Sequence, residues 1–213
     1  MSRRAFQSAL ARLVTDPDYR AEVRARGNDA LAGRFSPRER RRLLGAAADR
    51  GMDVTRTLHK AFRLGKLLTQ LPLTCRLLGT ERLAPEVERF WRRRPPISFY
   101  FLEEAVAFCD YLLGRDLSAL GVEHLEEVVR YERASKALKR ARAEGRRPEP
   151  ERVEFACDPA ALLSALHRGE VPGEIPALSC TLEARLTEGG EVEWDVAVVE
   201  GVPVPKAVTA VGG

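Results

Sequence analysis

The sequence predicts an α+β protein, an N-terminal multi-helix domain followed by a small β-α-β-β module with an antiparallel hairpin, and three observations carry that expectation. Apolar residues recur at helical spacing, punctuated by proline and glycine, as far as about residue 144. The segment Gly145-Arg146-Arg147-Pro148-Glu149-Pro150 is polar and turn-rich, as a boundary would be. Beyond it the period becomes two: Leu178, Cys180, Leu182, Ala184 and Leu186, then Val192, Trp194, Val196 and Val198, face one way around the turn Glu188-Gly189-Gly190-Glu191. The expected domains are residues 1–145, helical and partner-docking, and residues 151–213, strand-rich and a candidate for peptide binding.

Each element has its own signal. Between Arg4 and Arg26, Phe6, Leu10, Leu13, Val14 and Val23 are spaced for a helix, and Asp16-Pro17 splits it in two, with Asp16 as N-cap and Pro17 at the first helical position. Ser36-Pro37-Arg38-Glu39 is a capping box ahead of Leu43 and Leu44. From Val54 to Leu71 an apolar stripe of Leu58, Phe62, Leu64, Leu67, Leu68 and Leu71 predicts a longer amphipathic helix, which Pro72 interrupts. Leu73 to Leu78 resumes for two turns and stops at Gly79. Further helices are expected over Arg82–Arg94, Phe99–Gly114 and Val122–Glu144, then a strand over Arg152–Cys157 and a short helix capped by Asp158-Pro159 and ending near Gly169.

A hydrophobic fraction of 45% and a charged fraction of 31% over 213 residues are those of a chain that buries a core, which excludes wholesale disorder. No apolar run reaches the roughly 20 residues that span a bilayer, and the first residues lack the apolar core of a secretory signal, so the reading is cytoplasmic with no membrane partner. Cys75, Cys109, Cys157 and Cys180 contain no CxxC pair and are expected to be reduced, buried thiols. The net charge of +4 conceals a gradient: residues 1–66 hold 16 Lys and Arg against 7 Asp and Glu, whereas residues 151–213 hold 4 against 11. The two ends are therefore suited to different partners.

No residue pattern assembles an active site. His59, His124 and His167 fall on different predicted helices with no metal-ligand spacing, so metal: none and catalytic: none are the expectations. Glu103-Glu104 and Glu126-Glu127 are sequence neighbours that project about 100° apart on a helix, a poor geometry for shared acid and base work. Nucleotide-binding and nucleophile-elbow motifs are missing. The basic run Arg38 to Arg42, with Arg24, Arg26 and Arg34, suits phosphate contact as well as an ordinary solvated helix, so nucleic acid is a secondary expectation and a DNA-binding regulator the alternative function.

The most distinctive stretch concentrates aromatics and arginines around a proline pair. Phe90, Trp91, Arg94, Pro95, Pro96, Phe99 and Tyr100 are the candidate partner-binding residues, because exposed Trp, Tyr, Phe and Arg dominate protein interfaces. In the strand module an unpaired edge offers backbone groups to an incoming extended peptide, with Leu178, Cys180, Leu182, Val192, Trp194 and Val196 as candidate peptide-binding residues. The competing reading is a sheet that packs on the helices and blunts its edges with charge.

The order Phe62-Arg63-Leu64-Gly65-Lys66-Leu67-Leu68, Leu71-Pro72-Leu73-Thr74-Cys75-Arg76-Leu77-Leu78-Gly79, Phe90-Trp91, Pro95-Pro96-Ile97-Ser98 and Phe108-Cys109-Asp110-Tyr111-Leu112 resembles the helical domain of partner proteins of multinuclear non-haem iron oxidative enzymes. Those enzymes modify ribosomally made peptides, methanobactin biosynthesis being the best-known case, where a heterodimer converts precursor cysteines to oxazolone and thioamide groups. The resemblance covers residues 55–115 directly. It implies that the iron and its ligands belong to the partner enzyme, with no cofactor in this chain. It also implies that this chain stabilises that enzyme in a heterodimer and engages the leader of the precursor peptide.

Overall fold

The computed structural model describes residues 3–94 and 101–199 and is α+β, mostly helical with one three-stranded antiparallel sheet toward the C-terminus. The helices are α1 (Arg3–Thr15), α2 (Pro17–Arg26), α3 (Pro37–Ala48), α4 (Gly51–Gln70), α5 (Pro72–Arg93), α6 (Phe101–Leu113), α7 (Leu125–Ala143) and α8 (Pro159–Arg168). The strands are β1 (Glu151–Cys157), β2 (Ala177–Leu186) and β3 (Val192–Val199). No described helix is long and apolar enough to cross a membrane.

The helix starts follow their caps. Asp16 accepts from the Tyr19 N–H with Pro17 in the first turn, Ser36 and Glu39 close a reciprocal capping box, and Asp158 accepts from the Ala160 and Ala161 N–H groups. The two helices expected on either side of Gly79 form one element, α5, broken at that glycine, whose φ of 64° and ψ of 167° open a region reserved for residues without a Cβ.

Among the described residues the chain divides into two compact units, 3–65 with 91–94, and 66–90 with 101–199. The expected division at 145–151 is corrected: it falls inside the second unit. The reason is physical. A three-stranded sheet with one apolar face needs a second layer to bury it, and here that layer includes α7. Val153, Phe155, Leu182, Ala184 and Trp194 share a core with Leu73, Val128, Ala134 and Leu138 as well as with Leu162 and Leu166 of α8.

The sheet order is β1-β2-β3, so β2 is central and β1 and β3 are the edges. Val153 pairs with Leu182 and Leu182 with Val196, which keeps the apolar positions of all three strands on the α7 side. One extra residue, Ala197, enters β3 where the register shifts beside Thr181 and Leu182.

The first unit has a smaller core, Leu13, Tyr19, Val23, Ala30, Leu31, Leu43 and Ala47. Arg20, 4% exposed, supplements it by donating from Nε to the Ala47 carbonyl at 2.9 Å, from Nη2 to the Asp49 carbonyl at 2.6 Å and from Nη1 to Asp53 at 2.5 Å. Arg24 donates to the same Ala47 carbonyl at 2.6 Å. Two cations thus satisfy the end of α3, where helix carbonyls have no partners of their own.

Candidate functional site

The six residues expected to bind peptide belong to the core. Cys180, Leu182 and Trp194 are buried, and Leu178, Val192 and Val196 are packed against them. Trp194 stacks on Tyr131 with ring centroids 4.3 Å apart. This corrects the sequence expectation: the apolar alternation marks the face turned to α7 rather than a face open to a ligand. Of the two segments, 178–186 and 191–199, expected to offer an edge, β2 is paired on both sides and offers none, whereas β3 has a strand neighbour on one side only.

β1 has a strand neighbour on one side only. Along it runs a groove of about 1490 Å³ whose wall includes every residue from Glu151 to Ala156. The wall also takes in Ala177 to Thr181 of β2 and Ala197 of β3, so the groove reaches across the sheet as well as along β1. Asp110, Glu126, Arg130 and Arg133 form part of the remaining wall. Arg133 Nε donates to Asp110 at 2.6 Å and Arg130 pairs with Glu126, so the groove carries both signs of charge.

On the outer face of the sheet Glu183 accepts from Arg152 at 2.7 Å and from Arg185. The hydrogen bonds from Arg152 and then Arg185 hold its carboxyl below the ordinary glutamate range.

The expected partner-binding residues separate. Phe90 is a core residue of the second unit, 5.3 Å by ring centroid from Phe108 and 5.6 Å from Tyr111. Its assignment to a docking surface is corrected: helical spacing turns it inward. Trp91 is half-buried with the Arg63 guanidinium 4.6 Å from its ring centre, and Arg94 is exposed. Pro95, Pro96, Phe99 and Tyr100 lie outside the described residues.

Among the described residues, large apolar side chains are exposed at Val171 and on α4, where Val54, Leu58 and Phe62 are 62%, 65% and 52% exposed. Their i, i+4, i+8 spacing puts them in one row. Leu58 and Phe62 belong to the apolar stripe read from the sequence; of that stripe Leu67 and Leu71 are buried, and Leu68 is exposed too. Periodicity identifies an apolar face without identifying what covers it.

Buried charges have structural employment. Glu132 accepts the Leu73 and Thr74 N–H groups at 3.0 and 2.8 Å, capping the start of α5 from a distance in sequence. Burial raises its pKa, and those two N–H bonds oppose the shift. Glu86, 1% exposed, accepts from the Tyr111 hydroxyl at 2.8 Å and from Arg89 and Arg115.

Of the basic run, Arg38, Arg41 and Arg42 are exposed, whereas Arg24 is committed to α3 and Arg26 to Glu22. The four cysteines are buried and free, and burial pushes the Cys75 thiol up to about 12 and the Cys157 thiol up to about 11.

His167 is exposed, but His124 is not the isolated residue its sequence context indicates. It meets Glu127 and Cys157, the ligand-type atoms of all three lying within 4.8 Å of one another. The His124 to Glu127 spacing of three residues on one helix was visible beforehand; the approach of Cys157 from the end of β1 was not. These are side chains that could hold a metal ion.

No family model and no curated protein sequence matches the chain.

Proposed function

We propose that this chain is a non-catalytic partner subunit that docks a multinuclear non-haem iron enzyme and recruits the leader of a ribosomally made precursor peptide for cysteine modification. The observation that carries the reading is the β1 edge, a strand with a neighbour on one side only whose residues line a groove carrying charges of both signs. An extended peptide can add there as a fourth strand, taking affinity from main-chain hydrogen bonds and selectivity from side chains such as Arg130, Arg133 and Glu126.

The exposed row Val54, Leu58 and Phe62 supports docking of a protein, because an aligned apolar row is the kind of surface that association buries. The iron and its ligands are then the enzyme's.

The test pairs two measurements. Co-expression with an enzyme of this class encoded beside it should yield a complex that survives gel filtration, and Leu58→Lys with Phe62→Ser should dissociate it. Labelled leader peptide should bind the complex, and N-methylation of alternate peptide amides should abolish binding in one register and spare it in the other. Equal tolerance of both methylation patterns would reject strand addition. Absence of the complex, together with salt-sensitive DNA binding that needs Arg38, Arg41 and Arg42, would establish the regulator instead.

A further inference from the structure

We propose that His124, Glu127 and Cys157 form a binding site for one borderline divalent transition metal ion, Zn²⁺ foremost, that ties the start of α7 to the end of β1. The three side chains offer nitrogen, oxygen and sulfur, a donor set that suits Zn²⁺ or Co²⁺ and disfavours Mg²⁺ and Ca²⁺, which take oxygen ligands.

The geometry is close to what such an ion requires. Bonds of about 2.0 to 2.3 Å in a tetrahedron place ligand atoms roughly 3.3 to 3.8 Å apart. His124 Nδ1 and Glu127 Oε1 are already 3.8 Å apart, and no pair in the trio exceeds 4.8 Å. The remaining contraction is at most about 1.5 Å, within reach of side-chain rotation at Glu127, which is 20% exposed, and at His124. Cys157, 2% exposed, forms the floor, while His124, with 14% of its side chain exposed, and Glu127 form the mouth. A water molecule can complete the coordination from that side.

Two features of the backbone are consistent with a site that dictates local conformation. His124 is the one non-glycine among the described residues with a positive φ, 59°. It occupies the N-cap of α7 without making a side-chain cap, so the usual return for that position is missing. At the other end, the β1–β2 register shifts between Phe155 and Cys157, an irregularity of the sort that re-aims a side chain.

The surroundings favour a cation. Glu123 Oε1 lies 3.7 Å from His124 Nε2, so with Nδ1 facing Glu127 each ring nitrogen has a carboxylate close by. A carboxylate beside the nitrogen that does not bind metal would orient the ring, as outer carboxylates do in metal centres. Glu123, Glu127 and Asp158 all place negative charge near Cys157, and an ion that displaces the thiol proton would neutralise it.

The experiment is a titration of the full chain, reduced and stripped with chelator, first with Co²⁺ and then with Zn²⁺. The wild-type chain should develop the visible bands of tetrahedral Co²⁺ and a near-ultraviolet thiolate-to-cobalt band, both removed by one equivalent of Zn²⁺. Its melting temperature should rise when Zn²⁺ is added. Cys157→Ser should lose the thiolate band. His124→Asn, which retains a residue tolerant of left-handed backbone, should fold with an unchanged circular dichroism spectrum yet bind Zn²⁺ about 100-fold more weakly or worse. No cobalt spectrum in the wild-type chain, or an undiminished one in folded His124→Asn or in Cys157→Ser, would overturn the site.

Discussion

The two units reach stability by different means. The first is short helices around seven buried side chains, and its helix ends are joined by guanidinium groups, Arg20 and Arg24 on the carbonyls that close α3. The second lays a sheet on α7 and α8 over a wider apolar core and fixes the start of α5 with a buried carboxylate, Glu132. Both cores enclose charge, Arg20 and Glu132 each being 4% exposed, but the first unit holds a cation against helix-end carbonyls and the second an anion against helix-start N–H groups. In the first unit the apolar row Val54, Leu58 and Phe62 of α4 is more than half exposed.

Substitutions can break this contrast. The largest loss is expected from Trp194→Ala, which removes the ring stacked on Tyr131 and should cost about 4 kcal/mol. Hydrogen exchange should then show protection lost in β2 and β3 and retained in α2 and α3. Arg20→Met keeps the aliphatic stem but removes the donor to the Asp49 carbonyl, the ion pair with Asp53 and one of the two donors to the Ala47 carbonyl, at about 3 kcal/mol. In that variant the protection pattern should invert. If either change lowered protection evenly throughout, the units would be one cooperative body.

The contrast also predicts opposite signs with pH. The Glu132 carboxyl, raised by burial, holds its proton more tightly in the folded chain than in the unfolded one. The stability of the second unit should therefore fall as pH rises from the ordinary glutamate value of 4.5 through the raised folded value, and Glu132→Gln should flatten that slope in urea titrations. Glu39 in the first unit is shifted the other way by its hydrogen bonds from Ser36, so its contribution is present above the ordinary value and lost on acidification through its lowered one. The smallest expected change is Ser36→Ala, about 1 kcal/mol from the lost cap, measured by thermal unfolding.

Local features were legible because they are written in adjacent residues. Asp16-Pro17, Ser36-Pro37 and Asp158-Pro159 each announce a helix start, and the alternation in 178–198 announces a hairpin. What escaped depends on contacts distant in sequence. Turn composition at 145–150 resembles a domain boundary, yet only packing reveals that Leu138 and Trp194 share a core. The candidate peptide residues were misassigned because alternation identifies an apolar face without saying that α7 covers it. His124 and Cys157 lie on separate elements, so neither spacing nor motif could bring them together.

The order of the strands also has a consequence in time. Between β2 and β3 lie only residues 187–191, whereas β1 and β2 are separated by residues 158–176, which contain a helix. The entropy lost in closing the shorter loop is smaller, and hairpins close within microseconds. The β2–β3 ribbon is thus expected to assemble first, with β1 joining it later. The strand that ends up bordering the groove is then the latest to zip, and during synthesis the ribbon itself must wait until β3 has left the ribosome.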